Sequence, residues 1–129
     1  MDKRFILVDD VKMNNLMSRL ILGTTYPDAE IIEFNDAQTG LDFILNDYRA
    51  NAKTHNNVLL LDLYMPDMDG WEFLDVYQNY PDQIKQQIKI LILTSSISDE
   101  DKAKAKKYSC VSGYLIKPFS AEDIRDVFQ

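Results

Sequence analysis

One cysteine among 129 residues excludes an internal disulfide, and with it the stapled scaffolds of small secreted proteins. This fits a reducing, cytoplasmic setting. No apolar run is long enough to span a bilayer. The first residues lead straight into a strand pattern without signal-peptide features. Positive charge is scarce: 14 Lys and Arg stand against 21 Asp and Glu, a net charge of −7. An autonomous nucleic-acid surface needs a basic patch, so none is expected in this chain. The single histidine, His55, lies in a polar segment over 51–57 and reads as a solvated surface residue without a chemical role. Repeats, low-complexity tracts and a linker to a second domain are all missing. What remains is a chain 46% hydrophobic and 27% charged, read as one domain over residues 1–129 with a single core.

The central stretch is Val58-Leu59-Leu60-Leu61-Asp62, followed by a loop containing Met65-Pro66 and Asp69-Gly70. A short apolar run closed by turn residues predicts a buried strand of a parallel sheet. Asp62 stands at its carboxyl end, the edge where open α/β sheets bind ligands. Similar runs recur. Lys3 to Val8 leads into Asp9-Asp10, 88–93 into Thr94-Ser95, and Val111 to Ile116 into Lys117-Pro118-Phe119. A more polar strand over 29–34 suits a sheet edge, and Ser112 and Gly113 interrupt the strand before Lys117.

Helical patterns alternate with these strands. Met13, Leu16, Met17 and Leu20 fall at helical spacing on one face, with Asn14 and Asn15 away from that stripe and Gly23 and Pro27 marking the exit. Ala37, Leu41, Ile44, Leu45 and Tyr48 form the next stripe, starting near Asp36. Trp71, Phe73, Leu74 and Tyr77 open another, which Pro81 interrupts or follows; 82–87 reads as a long connection or an extra short turn. Ser98-Asp99-Glu100-Asp101 is a helix start, with a capping hydroxyl and acids in the first turn. That helix has little apolar content beyond Ala103, Ala105 and Tyr108, so weak packing is expected. Ser120 caps a short last helix with Ile124, Val127 and Phe128 on its apolar face; its brevity leaves room for a longer parent protein. Alternating strands and helices predict an α/β fold, a doubly wound parallel sheet of five strands with helices on both faces.

Parallel strands bring Asp9, Asp10, Asp62, Thr94, Ser95 and Lys117 to one rim. Close carboxylates repel unless a cation sits among them, and hard oxygen donors select Mg²⁺ or a similar ion. An ammonium and a hydroxyl opposite them suit a phosphoryl group. The residues therefore suggest a metal-assisted phosphoryl site with Asp62 as a carboxylate nucleophile.

This ordered set resembles the receiver domain of two-component response regulators, over essentially the whole chain. The resemblance implies a flavodoxin-like fold with strand order 2-1-3-4-5. It implies Asp62 as phosphoacceptor, served by a histidine kinase, a phosphotransfer protein or a small donor. Asp10, Asp62 and the backbone carbonyl of Tyr64 would ligate Mg²⁺, with Asp9 helping through water. Lys117 would pair with the phosphoryl group and the acids, Thr94 would be the switch hydroxyl, and Tyr114 the switch aromatic. Tyr64 and Ser96 occupy positions that flank the path of the hydrolytic water and so bear on phosphate lifetime. Pro118 is expected after a cis peptide bond. Val11 stands where many relatives carry another acid.

The expected function is a signalling switch that catalyses only its own aspartyl phosphorylation and dephosphorylation. It would act on a downstream protein target as a monomer or weak dimer, away from membranes. Two alternatives are a Mg²⁺-dependent phosphatase working through an aspartyl phosphate, and a phosphate-independent binding module. A dehalogenase-type phosphatase would want a second Asp where Tyr64 stands, and the full set of Asp9, Asp10, Asp62, Thr94 and Lys117 speaks against the module. Cys110 reads as a small, at least half-buried residue and Trp71 as a packing residue near Asp62.

Overall fold

The computed structural model describes residues 3–51 and 56–127. The strands are β1 (Lys3–Val8), β2 (Glu30–Phe34), β3 (Asn56–Leu61), β4 (Ile88–Thr94) and β5 (Val111–Ile116). The helices are α1 (Lys12–Thr25), α2 (Ala37–Asn51), α3 (Gly70–Tyr77), α4 (Asp82–Lys85), α5 (Asp99–Ala105) and α6 (Ala121–Val127). The five strands form one parallel sheet in the order β2-β1-β3-β4-β5, the expected doubly wound arrangement.

Side chains alternate across this sheet, so each central strand feeds two cores. Ile6, Val8, Leu59, Leu61, Ile90 and Ile92 pack on one face with residues of α2, α3, α4 and α5. Phe5, Leu7, Val58, Leu60, Leu91 and Leu93 pack on the other with Leu22 of α1 and Ile124 of α6. Burial on both faces is why β1, β3 and β4 read as continuous apolar runs rather than alternating ones. The β4–β5 register shifts between Ile90 and Leu91, opposite Val111 and Gly113, so the Ser112-Gly113 interruption is an irregularity in the ladder.

Two features differ from the sequence reading. The α1 stripe is real but faces outward: Met13 is 61% exposed and Leu20 62%, and Leu16 and Met17 are also exposed. The buried residues of α1 are Asn15, Ser18 and Leu22. Periodicity finds an amphipathic helix but does not say which face is covered, and here the Asn15 amide on the inner face has partners to bond. Gly23 lies inside α1 rather than at its end; the helix stops at Thr25, where Tyr26 N–H still bonds the Leu22 carbonyl. Of the two readings of 82–87 the structure takes the extra short turn: α4 follows Pro81, and its Ile84 is buried in the core.

Other readings stand. Asp36 caps α2, its carboxylate accepting from Thr39 N–H at 2.8 Å. In α5 only Ala105 is buried, as its composition predicts. Cys110 is half-buried. His55 and Phe128 lie outside the described residues. None of the described helices is long and apolar enough to cross a membrane.

Candidate functional site

Three strand ends and one loop build the site. At the end of β1, Asp9 is buried and Asp10 half-buried. Asp9 Oδ1 accepts from Val11 N–H at 2.9 Å, a local turn that fixes the carboxylate as the chain enters α1. Asn15 secures this end from the inner face of α1. Its Nδ2 donates to the Asp9 carbonyl at 3.1 Å and lies 3.3 Å from the Phe34 carbonyl at the end of β2. A buried Asn on α1 thus satisfies the Asp9 carbonyl and adds a second donor to the Phe34 carbonyl, which also accepts from Asp9 N–H at 3.1 Å.

Asp62 follows β3, tied to β1 by its N–H to the Val8 carbonyl at 3.0 Å. The loop then folds back sharply. Gly70 N–H bonds the Leu63 carbonyl at 2.7 Å, and a Cβ on Gly70 would lie 2.5 Å from the Asp62 carbonyl oxygen. Only glycine permits that approach. Asp69 and Glu72 close a reciprocal capping box that starts α3 and so fixes the loop's far end.

Lys117 follows β5, and its N–H bonds the Thr94 carbonyl at 2.8 Å, which joins the ends of β4 and β5. The Lys117–Pro118 peptide is cis, as expected. Lys117 Nζ lies 2.7 Å from Asp9 Oδ2 and 3.4 Å from Asp62 Oδ1. Carboxylate oxygens of Asp9, Asp10 and Asp62 lie within 4.8 Å of one another. Burial pushes the Asp62 carboxyl above its usual range; Lys117 opposes this and Asp9 adds to it. With all three acids ionised, one ammonium leaves two negative charges without a partner. Clustered hard oxygens with that residual charge fit a divalent cation such as Mg²⁺.

A second string of groups adjoins this cluster. Thr94 is buried, and its Oγ1 accepts from Ser96 N–H at 3.2 Å. Tyr114 is half-buried and its hydroxyl donates to the Ser96 carbonyl at 2.9 Å. The Tyr64 hydroxyl donates to Asp101 Oδ2 at 2.5 Å, and Ser96 Oγ donates to the same oxygen at 2.7 Å. The structure therefore brings Asp9, Asp10, Asp62 and Lys117 into one cluster and links Thr94, Tyr114, Tyr64 and Ser96 through hydrogen bonds centred on Ser96 and Asp101.

Two participants escaped sequence reasoning. Asn15 was visible only as a residue off the apolar stripe. Asp101 read only as an acid in a helix's first turn. Each has a partner distant in sequence, Phe34 for Asn15 and Tyr64 for Asp101, and no periodic pattern points to those pairs.

Comparison with known proteins agrees with this geometry. The model of the response regulator receiver domain matches residues 5–129. The response regulator Rcp1 of Synechocystis sp. is 28% identical over 127 residues, covering 98% of this chain and 82% of that protein. A probable methanogenesis regulatory protein, FilR2, of Methanothrix harundinacea is 34% identical, covering 93% of this chain and 75% of that one. Among solved structures, a response regulator receiver protein from Dyadobacter fermentans superposes with a TM-score of 0.83 at 25% identity, covering 98% of each chain. A five-stranded parallel sheet in 2-1-3-4-5 order, acids after β1 and β3, a hydroxyl after β4 and a Lys after β5 meet in a chain that belongs to the response regulator receiver domain family.

Proposed function

We propose that this receiver domain is a phosphorylation-driven signalling switch, with Asp62 accepting a phosphoryl group from a histidine kinase or phosphotransfer protein. The observation that carries this reading is the Asp9–Asp10–Asp62 cluster with Lys117 Nζ bridging Asp9 and Asp62. Asp10, Asp62 and the Tyr64 carbonyl would hold Mg²⁺, with Asp9 assisting through water. The bound ion would supply positive charge to the transferring phosphoryl oxygens.

The chain's own residues do the rest. Asp62 N–H bonds the Val8 carbonyl and its carboxylate faces Lys117 Nζ at 3.4 Å, so the side chain is held in place before a donor arrives. Burial disfavours its ionised form, and the neighbouring Lys117 ammonium offsets part of that cost. Lys117 is held between two acids and needs little movement to meet an incoming phosphoryl oxygen. Phosphorylation replaces the single charge of the Asp62 carboxylate with about 1.5–2 negative charges on the phosphoryl oxygens. Thr94 turning toward them would release Ser96 N–H, and Ser96 also holds Tyr114. The change would pass to α5, which has few buried contacts and therefore a low cost of movement.

A beryllium fluoride phosphate mimic, added with Mg²⁺, tests the switch. Amide resonances over 94–117 are expected to shift together. A spectrum in which only residues next to Asp62 respond would contradict the switch while leaving the acceptor role open to its own test.

A further inference from the structure

Along α1, Asn14, Met17, Ser18 and Ile21 fall at i, i+3, i+4 and i+7, so they share one face of the helix. With residues that follow β4 and β5, this face lines a cavity of about 450 Å³. Small-molecule sites ordinarily span about 300–1,000 Å³. Ser18 is small for a covered helix position, and the space that a larger side chain would fill stays open.

The walls divide by chemistry. Met17, Ile21, Leu93, Pro118 and Phe119 supply apolar surface, and Asn14, Ser18 and Ser95 supply neutral polar groups. Met17 is 46% exposed, and its flexible thioether can adapt to what it meets. Ser18 is the informative residue. It is only 6% exposed, yet its hydroxyl has no hydrogen-bond partner among the described residues. The hydroxyl is not sealed off, because the Tyr77 hydroxyl is the one fully enclosed side-chain polar atom without a partner among those residues. A buried polar group left unpaired is costly, and a ligand that bonds it recovers that cost. Ser18 and Leu93 also line a void of about 10 Å³ shared with Asp9 and Asp62, room for no more than one water. These two side chains are therefore a thin wall between the cavity and the acid cluster.

Charge selects the occupant. Lys117 lines the cavity, but its ammonium is engaged by Asp9 and Asp62. An anion would approach an acid cluster whose negative charge exceeds that of Lys117, and a cation would approach the ammonium itself. We infer that this cavity is a binding site for a small neutral molecule with an apolar, ring-sized body and a hydrogen-bonding group that meets the Ser18 hydroxyl. The site does not depend on the role of Asp62 as acceptor.

Titration of the metal-free chain with indole and with p-cresol, followed by amide resonances, tests this. Both probes are neutral, ring-sized and carry one donor. Saturable shifts are expected within 14–21, 93–95 and 117–119, and benzoate, of similar size but charged, should move these amides little at equal concentration. Ser18→Ala keeps the space and removes the hydroxyl; it should weaken both probes about two- to ten-fold, the range one hydrogen bond spans. Met17→Glu, at an exposed position that folding tolerates, sets a carboxylate on the apolar wall and should weaken them at least as much. Leu20→Glu, on the exposed stripe but outside the cavity, should bind as the unaltered chain does. The absence of saturable shifts from either probe would overturn the inference. So would equal shifts from benzoate, equal weakening by Leu20→Glu, or unaltered affinity in Met17→Glu.

Discussion

At Gly70 the chain passes so close to the end of β3 that one methyl group decides whether the loop after Asp62 can close. A Cβ there would sit 2.5 Å from the Asp62 carbonyl oxygen and 2.8 Å from Leu63 Cα, both backbone atoms that cannot swing aside. Gly70→Ala is expected to cost about 1–3 kcal/mol of stability, as overpacking does. It should also displace Asp62 from Lys117. Urea unfolding checks the first part; a midpoint equal to that of the unaltered chain would show that the loop relaxes freely. The residues of the acid–Lys cluster were legible because each stands directly after a strand, and parallel strands gather such positions at one rim. Asn15 and Asp101 were not legible. Their partners, Phe34 and Tyr64, lie 19 and 37 residues away, and hydrogen bonding at that separation leaves no periodic trace.

Among the elements, α1 is the most instructive. Its apolar stripe suggested a core-facing surface, yet the sheet covers Asn15, Ser18 and Leu22. The same amphipathic pattern arises whether the apolar face is covered or open, so spacing alone leaves the choice undetermined. Substitution separates the two faces. Leu22 is fully buried, and Leu22→Ala should cost about 2–5 kcal/mol. Leu16→Ser on the exposed stripe should stay within about 0.5 kcal/mol of the unaltered chain. Thermal melts of the two variants check this; a large loss at Leu16 would mean the stripe is covered after all. The strands were easier to read, since a short continuous apolar run bounded by Asp, Thr or Lys suits little besides a strand buried on both faces. Short α4 was harder: Ile84 is its one buried side chain, too little to leave a periodic pattern.

For the molecule as a whole, topology does most of the work. Order β2-β1-β3-β4-β5 places β1 and β3 side by side and β4 and β5 beside them, so acids and Lys117 face one another across the crevice. The opposite end of the sheet carries a different polar group: Arg4, which is buried, bonds Asn57 at 2.8 Å and Asp47 at 2.6 Å. A buried cation there is neutralised by its partner, whereas the acids of the rim have one ammonium among three carboxylates. That imbalance separates a structural ion pair from the charge balance that the proposed cation and phosphoryl site requires. The measurement that tests this most directly is the intact mass of the chain after incubation with a small acyl-phosphate donor, with and without Mg²⁺, compared with Asp62→Asn. The account predicts a single phosphoryl adduct on the unaltered chain that requires Mg²⁺ and is absent from the variant. An adduct that persists in Asp62→Asn, or that forms equally well without a divalent cation, would contradict it.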